Sequence, residues 1–184
     1  MGGARPRDDG EDTGATEELG GLVVLVVDDE AVVRAYVARA LAVAGMDVAV
    51  AADGREALRL VADDRVRPAV VVTGIEMPSM TGVELAARLL AMRPSIRIVM
   101  MTADPERAEA ARRHPAIVDE VILKPMRLDA IVEAVRAAAL ADVEPSGRGR
   151  EARALGVRSS SAEGDEPRSA PAPTPSTPRG THDG

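Results

Sequence analysis

An α/β fold on an open, doubly wound parallel sheet of five strands with five helices is predicted from three observations. Short apolar runs alternate with amphipathic stretches five times over about 120 residues, the pattern of successive βα units. The first run, Leu22-Val23-Val24-Leu25-Val26-Val27, is apolar throughout, as suits a parallel strand covered by helices on both faces. Several runs also stop abruptly at a residue able to hold a phosphate or a metal. Leu22–Val27 delivers Asp28-Asp29, the run ending Met100-Met101 delivers Thr102, and Val121-Ile122-Leu123 delivers Lys124. One run, Val70-Val71-Val72-Thr73, delivers Gly74 instead.

The elements follow in order. A helix from about Ala31 carries Val33, Val37, Ala40, Leu41 and Ala44 on one face, and Gly45 suits its C-terminal cap. Met46 to Ala51 forms the second strand, and Asp53-Gly54 turns the chain into a short helix holding Ala57, Leu58 and Val61. Pro68 ends that segment, Ala69 to Thr73 is the third strand, and a loop through Pro78 leads to a helix from Gly82 to Ala91. Arg97 to Met101 is the fourth strand. Pro105 fits the first turn of the next helix, which runs to Arg113. Val118 to Leu123 is the fifth strand, and Leu128, Ile131, Val132, Val135 and Ala138 mark the last helix. Right-handed crossovers put all five strand ends on one rim, so Asp28, Asp29, Gly74, Thr102 and Lys124 are expected to converge.

The chain of 184 residues has room for one ordinary domain plus flanking segments. Residues 1–20 are acidic, with five Gly and almost no large apolar side chains, and read as disordered. The receiving globular unit is 21–141. Residues 142–184 are rich in Pro, Ser, Gly and Arg and read as a second disordered segment. The six Arg from Pro145 onward are offset by acidic residues, and no second amphipathic helix follows for a helix-turn-helix. A net charge of −7 argues against a nucleic-acid binder. With no cysteine, no secretory leader and no apolar stretch of about 20 residues, a cytoplasmic protein away from membranes is expected. Of 23 cationic residues only Lys124 is a lysine, which points to a position wanting a compact ammonium.

The strand-end residues, with Met77-Pro78-Ser79-Met80-Thr81-Gly82 after Gly74, resemble a bacterial response regulator receiver domain, the phosphorylation module of two-component signalling. The resemblance covers about residues 20 to 141 and implies a flavodoxin-like sheet in the order 2-1-3-4-5. It implies that Asp28, Asp29 and the backbone carbonyl of Glu76 face Mg²⁺, that Thr102 is the switch hydroxyl, that Lys124 meets the phosphoryl group, and that the bond before Pro125 is cis. The phosphoacceptor aspartate of the family stands four residues before the proline of this loop, and here that position is Gly74. Taken singly, each residue has a plainer reading. Asp28-Asp29 suits the acidic start of a helix, Gly74 a backbone adaptation at a strand end, Thr102 a β-branched strand residue, and Lys124 a solvated cation.

Without a carboxylate at residue 74 there is neither an oxygen nucleophile for in-line phosphoryl transfer nor the third acidic ligand. Mg²⁺ is then expected to bind weakly or not at all, and the protein is expected not to be an enzyme. Thr73, Thr81 and Glu76 are nearby oxygen groups whose offsets from residue 74 do not suit in-line attack. Val121 stands where the family often carries an aromatic switch residue. The implied partners are signalling proteins such as a histidine kinase or a regulated effector, docked on the fourth helix, fifth strand and fifth helix. A haloacid dehalogenase type phosphatase would want aspartates at i and i+2, whereas the chain has Asp28-Asp29-Glu30. A DNA-binding regulator lacks the basic balance.

Overall fold

The computed structural model describes residues 21–141; the acidic lead at 1–20 and the segment 142–184 lie outside the described residues. Strands β1 (Val23–Val27), β2 (Asp47–Ala51), β3 (Val70–Gly74), β4 (Arg97–Thr102) and β5 (Glu120–Leu123) alternate with helices α1 (Ala31–Val43), α2 (Gly54–Ala62), α3 (Gly82–Met92), α4 (Pro105–Arg112) and α5 (Leu128–Leu140). The strands form one parallel sheet in the order β2-β1-β3-β4-β5. This is the flavodoxin-like architecture expected from the sequence.

The apolar β1 run splits by strand periodicity. Val24 and Val26 pack with Val37 and Leu41 of α1 and Ile131 and Val135 of α5. Leu25 and Val27 point the other way, toward Leu85 and Leu89 of α3 and Ala108 of α4. Two cores therefore lie on opposite faces of one sheet. With no Phe or Trp available, both are filled by aliphatic and Met side chains. A fully buried Leu such as Leu85 or Leu89 contributes roughly 1.5–3 kcal/mol through apolar burial.

Helix ends are defined by local chemistry. Gly45, just past the end of α1, has φ +89°, a left-handed conformation that costs glycine little. Asp53 accepts the Glu56 amide at 2.8 Å and caps α2. Thr81 and Glu84 form a reciprocal capping box at the start of α3. Asp104 caps α4, with Pro105 in the first turn.

One boundary differs materially from the sequence expectation. Val118 does not open the fifth strand: the amides of Ile117 and Val118 both donate to the His114 carbonyl, and the strand begins at Glu120. Both side chains are nonetheless buried in the core. Their apolar character reflects burial in a turn rather than membership of the ladder.

The loop between β3 and α3 closes tightly against the end of β3. The Gly82 amide donates to the Ile75 carbonyl at 2.8 Å, and a Cβ at residue 82 would stand 2.2 Å from the Gly74 carbonyl oxygen. Backbone cannot yield as a flexible side chain does. Gly82→Ala is therefore expected to destabilise the fold by about 1–3 kcal/mol, the usual cost of forced overpacking, measured by urea unfolding. Native stability in that variant would show that the loop opens freely.

Candidate functional site

The register aligns the strand ends that carry the site. Val27 pairs with Thr73, Gly74 with Met101, and Thr102 with Leu123. Asp28, Gly74, Thr102 and Lys124 consequently sit on a common rim, each at or one residue past the end of its strand. Lys124 follows β5 at one edge, and Asp28 follows β1, with β3 and β4 between them. The Lys124 Nζ reaches across to donate to Asp28 Oδ2 at 2.9 Å.

Asp28 is 1% exposed, and such a carboxylate is tolerable only when paired and hydrogen-bonded. Its Oδ1 accepts the Glu30 amide at 3.0 Å and its Oδ2 takes the lysine. Its main-chain carbonyl accepts from Arg34 Nη1 at 2.6 Å. Asp29, next along, is exposed. The backbone turn thus separates two adjacent carboxylates, placing Asp28 inward on an ammonium and Asp29 in solvent.

Gly74 closes β3 and is buried. A Cβ built there would meet Asp28 Oδ2 at 3.2 Å and the Glu76 carbonyl oxygen at 3.6 Å. A side chain at residue 74 would therefore enter between the acidic strand end and the Glu76 carbonyl. Those atoms are hard oxygen donors of the kind Mg²⁺ accepts. They do not make a closed cage: among the described residues no group of three or more Asp, Glu or His side chains could hold a metal ion.

Thr102 is 3% exposed, and its Oγ1 accepts the Asp104 amide at 3.0 Å. Its carbonyl accepts the Lys124 amide at 2.7 Å. The Lys124-Pro125 bond is cis. Val121 is buried in the core. The other hydroxyls are occupied or inaccessible: Thr73 is fully buried and donates to the Gly74 carbonyl at 3.1 Å, and Thr81 is held in its capping box.

Three contacts were not anticipated from the sequence. Glu30 Oε1 lies 3.5 Å from Lys124 Nζ as a second, exposed counter-charge. Arg34 ties the first turn of α1 to the main-chain carbonyl of Asp28, a contact that no local sequence pattern signals. Arg107 pairs with Glu76 at 3.0 Å and with Asp104 at 3.2 Å, bridging the loops after β3 and β4. These are half-exposed pairs and of modest energy. The amide of Glu106, and then that of Arg107, hold the Asp104 carboxyl below its ordinary value of 3.8.

Lys124→Met should strand the buried Asp28 charge. Full burial of both partners would cost about 3–5 kcal/mol; because Lys124 is 19% exposed, roughly 1–3 kcal/mol is expected by urea unfolding. Adding Asp28→Asn should recover part of that loss, and an additive double variant would refute the pairing. For Asp104, a folded-state pKa below 3.8 means the cap stabilises α4 above that pH and is lost as the pH falls through the lower folded value. Protection of the α4 amides, measured against their intrinsic exchange rates, should fall below about pH 4 in native protein, and not in Asp104→Asn.

Comparison with known proteins agrees with this geometry. The model of the response regulator receiver domain family matches residues 24–136. The response regulator MprA of Mycolicibacterium vanbaalenii is 36% identical over 114 residues, covering 62% of this chain and 48% of MprA. The chain thus spans about half the length of this curated relative. Among solved structures, the chemotaxis response regulator CheY4 of Vibrio cholerae is 29% identical with a TM-score of 0.56, covering 65% of this chain and 99% of CheY4. The response regulator TrrA of Thermotoga maritima, solved in complex with Mg²⁺-BeF, is 27% identical with a TM-score of 0.55, covering 62% of this chain and 96% of TrrA. With the strand order, the rim and the family match in agreement, the chain belongs to the response regulator receiver domain family of two-component signalling.

Proposed function

We propose that this receiver domain signals by protein-protein interaction that does not depend on phosphorylation. The reading rests on Gly74: the position of the family's phosphoacceptor carries only a hydrogen atom. Phosphoryl transfer needs an oxygen in line with the donor phosphorus, with cations absorbing charge on the equatorial oxygens. Lys124 could supply the cationic part, but its ammonium already bonds Asp28 at 2.9 Å. The neighbouring oxygens do not substitute, since Thr73 is buried and Glu76 is paired with Arg107.

In this reading residues 21–141 are the interacting unit; 1–20 and 142–184 lie outside the described residues. The partner is a signalling protein such as a histidine kinase or a regulated effector, docked on α4, β5 and α5. That face carries the short edge strand β5, with Leu123 40% exposed. Fold analogy supplies the choice of face and does not name the partner. Asp28, Asp29 and the Glu76 carbonyl are remnants of a metal site and hold Mg²⁺ weakly or not at all. Thr102 and Lys124 remain as phosphate contacts without a phosphate to meet. The protein is not an enzyme and acts in the cytoplasm; no described helix is long and apolar enough to cross a membrane.

The test is acetyl phosphate with Mg²⁺, followed by intact-mass measurement. The native chain should gain no phosphoryl group. Gly74→Asp should gain one, its carboxylate oxygen bonding phosphorus as acetate leaves. The new Cβ needs only a few tenths of an ångström from Asp28 Oδ2, 3.2 Å away. Mg²⁺ should also raise the melting temperature of Gly74→Asp and leave the native value nearly unchanged. Labelling of the native chain would overturn the reading.

A further inference from the structure

Arginines gather at the edge of the sheet opposite the rim, where β1 begins. The Val23 carbonyl accepts the Ala69 amide at 2.9 Å, and the Ala69 carbonyl accepts the Arg97 amide at 2.9 Å. The loops ahead of β3 and β4 are thereby fixed beside the entry of the chain into β1. They carry Arg65, Arg67 and Arg93, and Arg59 stands in the last turn of α2. Asp64 bonds both Arg67 and Arg93, and does so from a left-handed backbone with φ +58°. One carboxylate thus serves two guanidiniums, each of which keeps donors in reserve. Arg59 and Arg65 are exposed, make no ion pair among the described residues, and share a hollow of about 240 Å³ with Glu56, Leu60 and Asp63. The Glu56 carboxylate accepts the Ala52 amide at 2.7 Å. Four arginines therefore stand against Asp63, Asp64 and the amide-bound Glu56, and the patch is positive on a chain whose net charge is −7.

We infer that this patch is the docking surface of the acidic segment that leads into β1, with Glu17 and Glu18 seated on Arg65, Arg67 and Arg93. Residues 1–20 carry two Arg against six Asp and Glu, so the charges are complementary. Reach agrees with that choice. Glu18 lies five residues before Val23, about 17 Å of extended chain. Arg67 lies two residues before Ala69, whose strand runs about 5 Å from β1. Gly21 has φ +84°, a left-handed bend at the mouth of the strand. The C-terminal segment is the poorer occupant. It leaves from α5, which packs on the Val24 and Val26 face of the sheet, whereas α2 and α3 pack on the other face. Its acidic residues are also interspersed with six Arg.

Exposed guanidinium-carboxylate pairs are individually weak, and the short tether compensates by holding the two groups at a local concentration in the millimolar range. The clasp is therefore reversible and sensitive to salt. At about 1 M salt the Debye length falls to about 3 Å, and the clasp should open. It covers the edge away from Asp28, Gly74 and Lys124, leaves α4 and the outer edge of β5 free, and does not depend on the role of residue 74.

The chain has no cysteine, so Gly10→Cys in the full chain gives a single attachment point for a nitroxide, whose paramagnetic broadening of amide signals reads proximity. At low salt the label should broaden the amides of Asp64, Val66 and Ser95 roughly threefold or more beyond its effect at about 1 M salt. Glu17→Arg with Glu18→Arg, both outside the described fold, should remove most of that excess, as should Arg65→Glu with Arg67→Glu. Combining all four substitutions should restore it, because the facing charges are again opposite in sign. Circular dichroism confirms that each variant is folded. Broadening that is equal at both salt concentrations, that survives either reversal, or that fails to return in the combined variant would overturn the inference. So would salt-dependent broadening from a label at Ala162→Cys in place of one at Gly10→Cys, which would give the patch to the C-terminal segment.

Discussion

The site depends on a constraint of chain direction. Every strand in the sheet is parallel to its neighbours, so each crossover helix must return the chain to the same edge before the next strand starts. Residues as far apart as Asp28 and Lys124, 96 positions in sequence, consequently end on one rim. Their ion pair spans from β1 to the residue after β5 above the ends of β3 and β4. Asp28, almost fully buried, depends on that partner to hold its charge in place.

The composition of that rim sets its electrostatics. Asp28 and Lys124 nearly neutralise each other, and Glu30 and Asp29 stand further out where solvent screens them. A carboxylate at residue 74 would add a second inward negative charge beside Asp28, of the kind that ordinarily recruits a divalent cation. Glycine removes both the repulsion and the attraction. The loops around the rim are tied together by Arg107, which pairs with Glu76 and Asp104.

Much of the fold was legible because the apolar runs and the punctuating residues agreed. Asp53-Gly54, Pro105 and Gly45 each marked a helix boundary through capping or backbone preference that operates locally. Val118 misled because burial in a turn and burial in a strand draw on the same residue types. The rim residues were legible as strand ends, since parallel topology converts sequence position into spatial proximity. Glu30, Arg34 and Arg107 were not, because surface charges choose partners only after the loops have taken their final path. The separation of Asp28 from Asp29 was equally hidden, being set by the turn after β1 and not by the side chains themselves.

Tyr36 is the only aromatic residue in the chain, and it stands partly exposed on α1, its hydroxyl donating to the Met126 carbonyl at 3.4 Å. The protein therefore carries a single native fluorophore, with no tryptophan to mask it by energy transfer. Ultraviolet emission reports the surroundings of one helix face, and events confined to the strand-end rim remain optically silent.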